Sequence, residues 1–361
     1  MTCFREQIVR LKAYEPGRQP PGKLVKLNAN ENPYPPAPGV LEALARLGPD
    51  DVRLYPDAAA RLLCARAAKA FGVTPAQVVA GNGSDDILTM IVRSFLDPGD
   101  RIAVVDPTYT LYETLASIQG ATTTVHPLGP AWSLPVSFFG AAAKVTFLPN
   151  PNAQTGTLFS QRELDRLCAN ARGMVVIDEA YAPFADVTAV PLLRRHGNLI
   201  ILRTLSKSHS LAGLRVGFGI GRAEVIAGMQ KVKDSYNVSV AGQGAACAAL
   251  DAAAYTSRTI AALVKTRTWF CRELDARGWL TVPSSANFVL TEPPAPGAAA
   301  LMALLERDGY LVRYFSTHRL RSMLRISMGT DTQMRGLLAC IDRRCSRSPI
   351  ITRSRKGWRP Q

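Results

Sequence analysis

Several patterns are scarce in this chain of 361 residues, and each scarcity argues against a class of function. There are four histidines, and none stands at metal-ligand spacing to the seven cysteines, which lie scattered at positions 3, 64, 168, 247, 271, 340 and 345 without a Cys-x-x-Cys pair. That scatter argues against a zinc site or a disulfide framework and fits reduced thiols in a cytoplasmic protein. No run approaches the ~18 apolar residues of a membrane span. The N-terminal segment carries Arg5, Glu6, Arg10 and Lys12 where a secretory signal has its apolar core. Gly-x-Ser-x-Gly is absent, and so is any internal repeat. Acidic residues are missing from positions 343–361, which hold seven Lys and Arg.

Hydrophobic residues make up 47% of the chain and charged residues 20%, enough for a sizeable core. The length exceeds the usual single-domain range, so a large domain with a smaller companion is expected. Residues 1–38, rich in proline and asparagine, read as an ordered arm. Residues 39–265 read as the large domain, 266–342 as a small C-terminal domain packing with the N-terminal segment, and 343–361 as a basic, solvated tail. Setting aside the tail's seven basic residues leaves +8 of the formal +15 for the body, a charge that favours anionic ligands. Nucleic-acid binding by the tail is the minor reading, because no aromatic platform or basic helix accompanies it.

From Val78 a grammar repeats: an apolar run of strand length, a polar motif, then a helical stretch. Val78-Val79-Ala80 leads into Gly81 to Asp86 and a helix through Phe95. Arg101 to Val105 leads into Asp106-Pro107-Thr108-Tyr109, and Lys144 to Leu148 into Pro149 to Gly156. Met174 to Ile177 leads into Asp178-Glu179-Ala180-Tyr181, and Leu199 to Leu202 into Thr204 to Phe218. Continuous apolar runs alternating with helices predict a mostly parallel sheet buried on both faces. In such sheets ligands sit beyond the carboxyl ends of the strands, where all five polar motifs fall. Past Lys233 two helices are followed by short apolar runs near 287–290, 310–313 and 323–327 around a helix at 298–308. The fold class is therefore α/β, with a mostly parallel central sheet in the large domain and a smaller α+β domain.

Lys207 leaves a buried strand among Thr204, Ser206 and Ser208, with Arg215 eight residues on. Desolvation and a neighbouring cation make an amine nucleophilic, and hydroxyls with a planar guanidinium suit a phosphate. An amine beside a phosphate cradle suggests pyridoxal phosphate; an ordinary surface lysine is the alternative. Gly83-Ser84-Asp85 opens a helix whose free N–H groups suit the same phosphate, although the acids also serve as simple caps. Asp178 at a buried strand end needs a cationic or donating partner. A pyridinium nitrogen, a local arginine or a metal shared with Glu179 would serve, the last without histidine support. Tyr109 and Tyr181 offer a ring face and a phenolic donor on the same rim, and Asn152 an amide, while core packing and a loop turn explain them singly. Arg325 interrupts an apolar strand and calls for an anion; Arg313, Arg319 and Arg321 read as facing solvent.

Eight motifs occur in order: Leu27 to Pro33, Gly83-Ser84-Asp85, Pro107-Thr108-Tyr109, Asn150 to Gly156, Asp178 to Tyr181, Thr204 to Phe218, Lys233 to Asn237 and Leu324 to Gly329. Together they resemble the fold-type I aminotransferases, and within these the histidinol-phosphate aminotransferase family, over about residues 8–342. The resemblance implies a pyridoxal 5′-phosphate enzyme of transferase fold type I that moves an amino group from glutamate to imidazole-acetol phosphate in histidine biosynthesis. It implies that Lys207 bonds the cofactor and shuttles a proton, and that Asp178 pairs with the ring nitrogen. Tyr181 and the loop with Asn152 would contact the 3-hydroxyl, and Tyr109 would stack on the ring. Gly83, Ser84, Asp85, Thr204, Ser206 and Arg215 would form the phosphate site. Tyr55 would reach the neighbouring subunit's cofactor in a homodimer, and Arg325, aided by Tyr14 and Asn30, would bind the substrate's carboxylate and phosphate.

One departure stands out. The family's Pro-Asn-Asn-Pro-Thr-Gly is here Pro151-Asn152-Ala153-Gln154-Thr155-Gly156, with Ala153 where the ring-binding asparagine falls. Either Asn152 substitutes or that bond is missing. An aromatic aminotransferase or a threonine-phosphate decarboxylase shares the cofactor residues. From other classes, a Ser206-Lys207 hydrolase dyad gives Asp178 and Arg215 no role, and a non-catalytic DNA-binding relative would carry an added domain.

Overall fold

The computed structural model describes residues 3–11, 17–19 and 24–345. Tyr14 and residues 346–361 of the expected tail lie outside the described residues, whereas 343–345, expected as tail, continue the helix Asp331–Cys345. The chain places a short strand from the arm, β1 (Val25–Leu27), ahead of helices Pro38–Ala45, Pro49–Arg53 and Arg61–Phe71. Seven strands then build the larger sheet: β2 (Val78–Gly81), β3 (Arg101–Asp106), β4 (Thr122–Pro127), β5 (Val145–Pro149), β6 (Met174–Asp178), β7 (Leu199–Thr204) and β8 (Gly217–Ile220). Their order is β2-β8-β7-β6-β5-β3-β4, with β8 alone running against the rest.

The apolar runs explain why this sheet lies inside. Val175, Ile177, Leu199 and Ile201 enter one core cluster, whereas Val176, Ile200 and Leu202 enter another. Alternate residues therefore bury on opposite faces, each side chain contributing about 1.5–3 kcal/mol. Strand β4 departs from the apolar-run rule. Its sequence Thr-Thr-Thr-Val-His-Pro is largely exposed because it forms the sheet edge and needs only one covered flank.

Register fixes the level at which the polar loops begin. Asp178 on β6 pairs with Pro149 on β5 and Leu202 on β7, so β5 and β6 end together and β7 runs two residues further. Parallel pairing of β3, β5, β6 and β7 sends all their following loops to one rim.

The second sheet comprises β9 (Leu280–Thr281), β10 (Phe288–Glu292), β11 (Tyr310–Tyr314) and β12 (Leu324–Ser327), with β1 joined in parallel to β11. The arm is thus stitched into the smaller sheet. A single helix, Ala253–Ala276, runs unbroken through residue 265 and links the two layers. Helices Ala298–Arg307 and Asp331–Cys345 cover this sheet through Leu301, Leu305, Leu337 and Ile341.

Candidate active site

A cavity of about 1300 Å³ opens between the ends of the parallel strands, the arm and the smaller sheet. Strand β7 ends at Thr204, whose Oγ1 accepts the N–H of Ser206 at 3.2 Å and caps one helical turn, Leu205–Ser208. Lys207 on that turn lines the cavity, and its Nζ donates to the Ala29 carbonyl at 3.1 Å. Asn32 straps the arm over the same turn, donating through Nδ2 to the carbonyl of Lys207 at 3.1 Å.

Arg215 follows in the left-handed region at φ +52° and turns back towards the start of helix Ser84–Phe95. Two glycines make that approach possible. A Cβ on Gly83, itself at φ +85°, would stand 2.5 Å from Arg215 Nη2, and one on Gly217 would stand 2.4 Å from the Ser84 nitrogen. The helix has no side-chain cap at Gly83, so its first N–H groups face the same space as the Ser84, Thr204 and Ser206 hydroxyls. Arg215 Nη2 donates to Asp85 Oδ2 at 3.1 Å, and Tyr109 donates to the other oxygen at 3.2 Å. Asp85 therefore orients the cation and the ring together.

Asp178 ends β6 almost fully buried and also lines the cavity. Its Oδ2 accepts the Tyr112 hydroxyl at 2.7 Å and its Oδ1 the Ala180 N–H at 3.1 Å. Burial nevertheless pushes its carboxyl up to about 6, since no Lys, Arg or His among the described residues forms an ion pair with it. The adjacent Glu179 turns elsewhere, to Arg203 at 2.6 Å and to Thr188 at 2.9 Å, so the two acids do not share a partner. Tyr112, on helix Leu111–Gln119, was not singled out in the sequence. It is fully buried, stacked on Phe147 at 4.8 Å, and burial with the Asp178 charge pushes its phenol well above the usual range, so it remains a donor. The signal was a tyrosine on an apolar face, whose buried hydroxyl must find an acceptor.

The opposite wall comes from the arm and the smaller sheet. Asn30, at φ +55°, donates through Nδ2 to the Tyr181 hydroxyl at 2.8 Å and accepts from Ser327 at 2.9 Å. Arg325 on β12 donates through Nη1 to the Ala153 carbonyl at 3.0 Å and to Gln154 Oε1 at 3.1 Å. Two arginines depart from the solvent-facing expectation. Arg313 lines the cavity beside Arg325, and Arg319 donates to the carbonyls of Asp106 at 2.8 Å and Leu128 at 2.7 Å while covering Trp132. Arg321 is exposed, as expected.

The structure brings Ser84, Asp85, Tyr109, Asp178 and Tyr181 to one cavity with Thr204, Ser206, Lys207, Arg215, Asn30 and Arg325. Gly83 stands behind Arg215 and shapes the cradle without lining it. Asn152 is not among the residues that line the cavity. It is wholly buried, its Nδ2 spent on the Pro107 carbonyl at 2.9 Å and its Oδ1 on the N–H groups of Gln154 and Thr155. Its physical task is to fold the loop. Tyr55 is also away from this chain's cavity, 80% exposed and stacked on Tyr236 with ring centroids 4.3 Å apart.

Pyridoxal phosphate fits this set. A buried carboxylate without a cation among the described residues suits a ring N–H⁺, and the uncapped helix start with Arg215 suits a phosphate. The Thr108 hydroxyl, on a residue of the cavity wall, is buried with no hydrogen-bond partner among the described residues.

Residues 22–341 match the family described as aminotransferase class I and II. The chain is 44% identical over 340 residues to histidinol-phosphate aminotransferase of Geotalea uraniireducens, covering 92% of this chain and 97% of that protein. It is 43% identical over 348 residues to the protein of the same name from Syntrophotalea carbinolica, covering 94% and 99%. Among solved structures, histidinol-phosphate aminotransferase from Sinorhizobium meliloti in complex with pyridoxal-5′-phosphate superimposes with a TM-score of 0.84 at 24% identity, covering 94% of this chain and 96% of that one. The histidinol-phosphate aminotransferase from Clostridium acetobutylicum also gives a TM-score of 0.84, at 21% identity, covering 90% and 100%.

Proposed function

This chain belongs to the class I and II aminotransferases, in the branch of the histidinol-phosphate aminotransferases, and we propose that it uses pyridoxal phosphate to transfer an amino group from glutamate to imidazole-acetol phosphate. The observation that carries the reading is the pairing, in one cavity, of a lysine and a buried aspartate with two separate arginine sites. Arg215 lies beside the helix start, and Arg325 with Arg313 lies on the smaller sheet. A cofactor phosphate and a doubly anionic substrate need two such sites.

When bound, the cofactor supplies an electron sink for the charge that develops on the substrate carbon. Lys207 Nζ would hold the cofactor and would carry a proton to and from the reacting carbon. Asp178 holds a ring N–H⁺ through its carboxylate, and the Tyr112 hydroxyl on Oδ2 favours the ionised form of that acid. Ser84, Thr204, Ser206 and Arg215 hold the phosphate. Tyr109 would pack against the ring, and Tyr181, oriented by Asn30, would offer its hydroxyl to the ring oxygen. Arg325 and Arg313 take the anionic groups of donor and acceptor, and the arm from Ala29 to Asn32 excludes water above Lys207.

The assembly in this reading is a homodimer. Leu41, Val52, Leu54 and Leu62, near Tyr55 in the chain, are exposed apolar side chains that a second copy would cover while Tyr55 reached its site. No helix among the described residues is long and apolar enough to cross a membrane, and the seven cysteines are free, which supports a cytoplasmic setting. Steady-state comparison of histidinol phosphate, phenylalanine and threonine phosphate tests the substrate assignment. Histidinol phosphate is expected to give by far the highest kcat/KM; its failure to turn over would discard the assignment.

A further inference from the structure

We propose that Gln154 is a specificity-determining positioning residue, a strut that sets how tightly Arg325 holds the amino donor. The inference rests on the reading of Arg325 as the donor's anion site and concerns a position where this chain departs from the family's loop pattern. In that pattern a proline occupies the place of Gln154, and proline has neither a donor nor an acceptor to offer from its ring.

The geometry is specific. Gln154 Nε2 donates to the Thr108 carbonyl at 3.2 Å, and Oε1 accepts from Arg325 Nη1 at 3.1 Å. The opposite amide orientation would set N–H against N–H at one end and oxygen against oxygen at the other, so both contacts agree on one assignment. The backbone beneath is fixed independently: Asn152 Oδ1 accepts the N–H of Gln154 at 2.9 Å and of Thr155 at 3.0 Å. With its main chain pinned, the buried carboxamide spans from the loop that carries Tyr109 to β12 of the smaller sheet.

The chemistry explains why a carboxamide suits the position. A guanidinium binds a carboxylate best when its plane is already set, because the ordering is then not charged against binding. Arg325 Nη1 is directed by two neighbouring acceptors, the Ala153 carbonyl and Gln154 Oε1, while Nη2 lies 3.4 Å from the Asn28 carbonyl. The carboxamide carries no net charge, so it orients the cation without competing for it. A glutamate there would orient Arg325 and also occupy it.

The test uses the cofactor-loaded protein and glutarate, which has the carboxylates of glutamate without its amine and cannot react. Calorimetric titration of glutarate is expected to show about tenfold weaker binding for Gln154→Ala and about a hundredfold for Gln154→Glu. The KM for glutamate should rise in parallel, with kcat within about twofold of the parent. Cofactor affinity and melting temperature should remain at parental values. Loss of glutarate binding in Arg325→Ala with parental binding in both Gln154 variants would overturn the strut. Parental binding in Arg325→Ala would overturn the reading of Arg325 and the strut with it. Cofactor affinity falling as far as glutarate affinity would make Gln154 a packing residue and overturn the proposal.

Discussion

The wall formed by the ends of β6 and β7 and the wall formed by the arm and β12 treat charge differently. On the first, a polar group meets each charge: Tyr112 bonds Asp178, and Asp85 bonds Arg215. On the second, Arg325 is guided by neutral oxygens, those of Ala153 and Gln154. Neutral acceptors fix the direction of a guanidinium without adding a charge of their own. Ionic and buried partners suit a group that remains in place through every turnover. In the proposed reaction the cofactor remains and the two substrates alternate, so the two modes correspond to permanent and exchanging ligands.

Substitutions should separate the walls. The largest effect is expected for Lys207→Ala, which removes the amine that moves the proton. Turnover should fall at least about a thousandfold, with loss of the parental visible absorption band. Retention of both would break the assignment of the first wall.

Asp178→Asn ranks next, and it should act in opposite directions on binding and folding. The folded-state carboxyl lies at about 6, above its ordinary 3.8, because burial opposes its charge. Protonated Asp178 is therefore favoured in the fold: its contribution is fully present below pH ~3.8 and is lost as pH rises through ~6. Asparagine has no charge to lose. The cofactor-free variant should thus be more stable than the parent at pH 8 by roughly 2–3 kcal/mol, with the gap closing below pH 4. Denaturant titration of the two cofactor-free proteins at both pH values checks this. Cofactor affinity should fall about a hundredfold, measured by equilibrium titration.

The smallest effect is expected for Tyr112→Phe, which keeps the stack on Phe147 and removes one hydroxyl. Cofactor affinity should weaken about tenfold, with the donor KM unchanged. That outcome mirrors the expectation for Gln154→Ala, in which donor binding changes and cofactor binding does not. A rise in donor KM for Tyr112→Phe would show that the walls are coupled.

The first wall was legible in the sequence because its chemistry follows directly from buried strands. An apolar run that ends in Asp178 or Lys207 announces both a strand and the side on which its loop emerges. β4 escaped this logic because an edge strand does not need an apolar run, and Tyr112 escaped because a tyrosine on an apolar helix face looks like packing. Asn152 shows a related limit, since it lies off the cavity wall. Its spacing suggested an amide for a ligand, but its oxygen accepts the loop's own N–H groups and its nitrogen donates to the Pro107 carbonyl.

The second wall was less legible because its parts come from segments far apart in the chain. Asn30 meets Ser327 across 297 positions, and Gln154 meets Arg325 across 171. No local periodicity records such contacts. The sequence by itself determined the α/β class, the alignment of polar loops at one rim and the lysine, aspartate and arginine that occupy it. These follow from hydrophobic burial and strand direction, which act locally along the chain. Only the tertiary structure decided that Arg313 and Arg319 turn inward, that Tyr112 supports Asp178 and that Gln154 braces Arg325. Each depends on a buried polar group finding its partner on another element, and sequence spacing does not encode that choice.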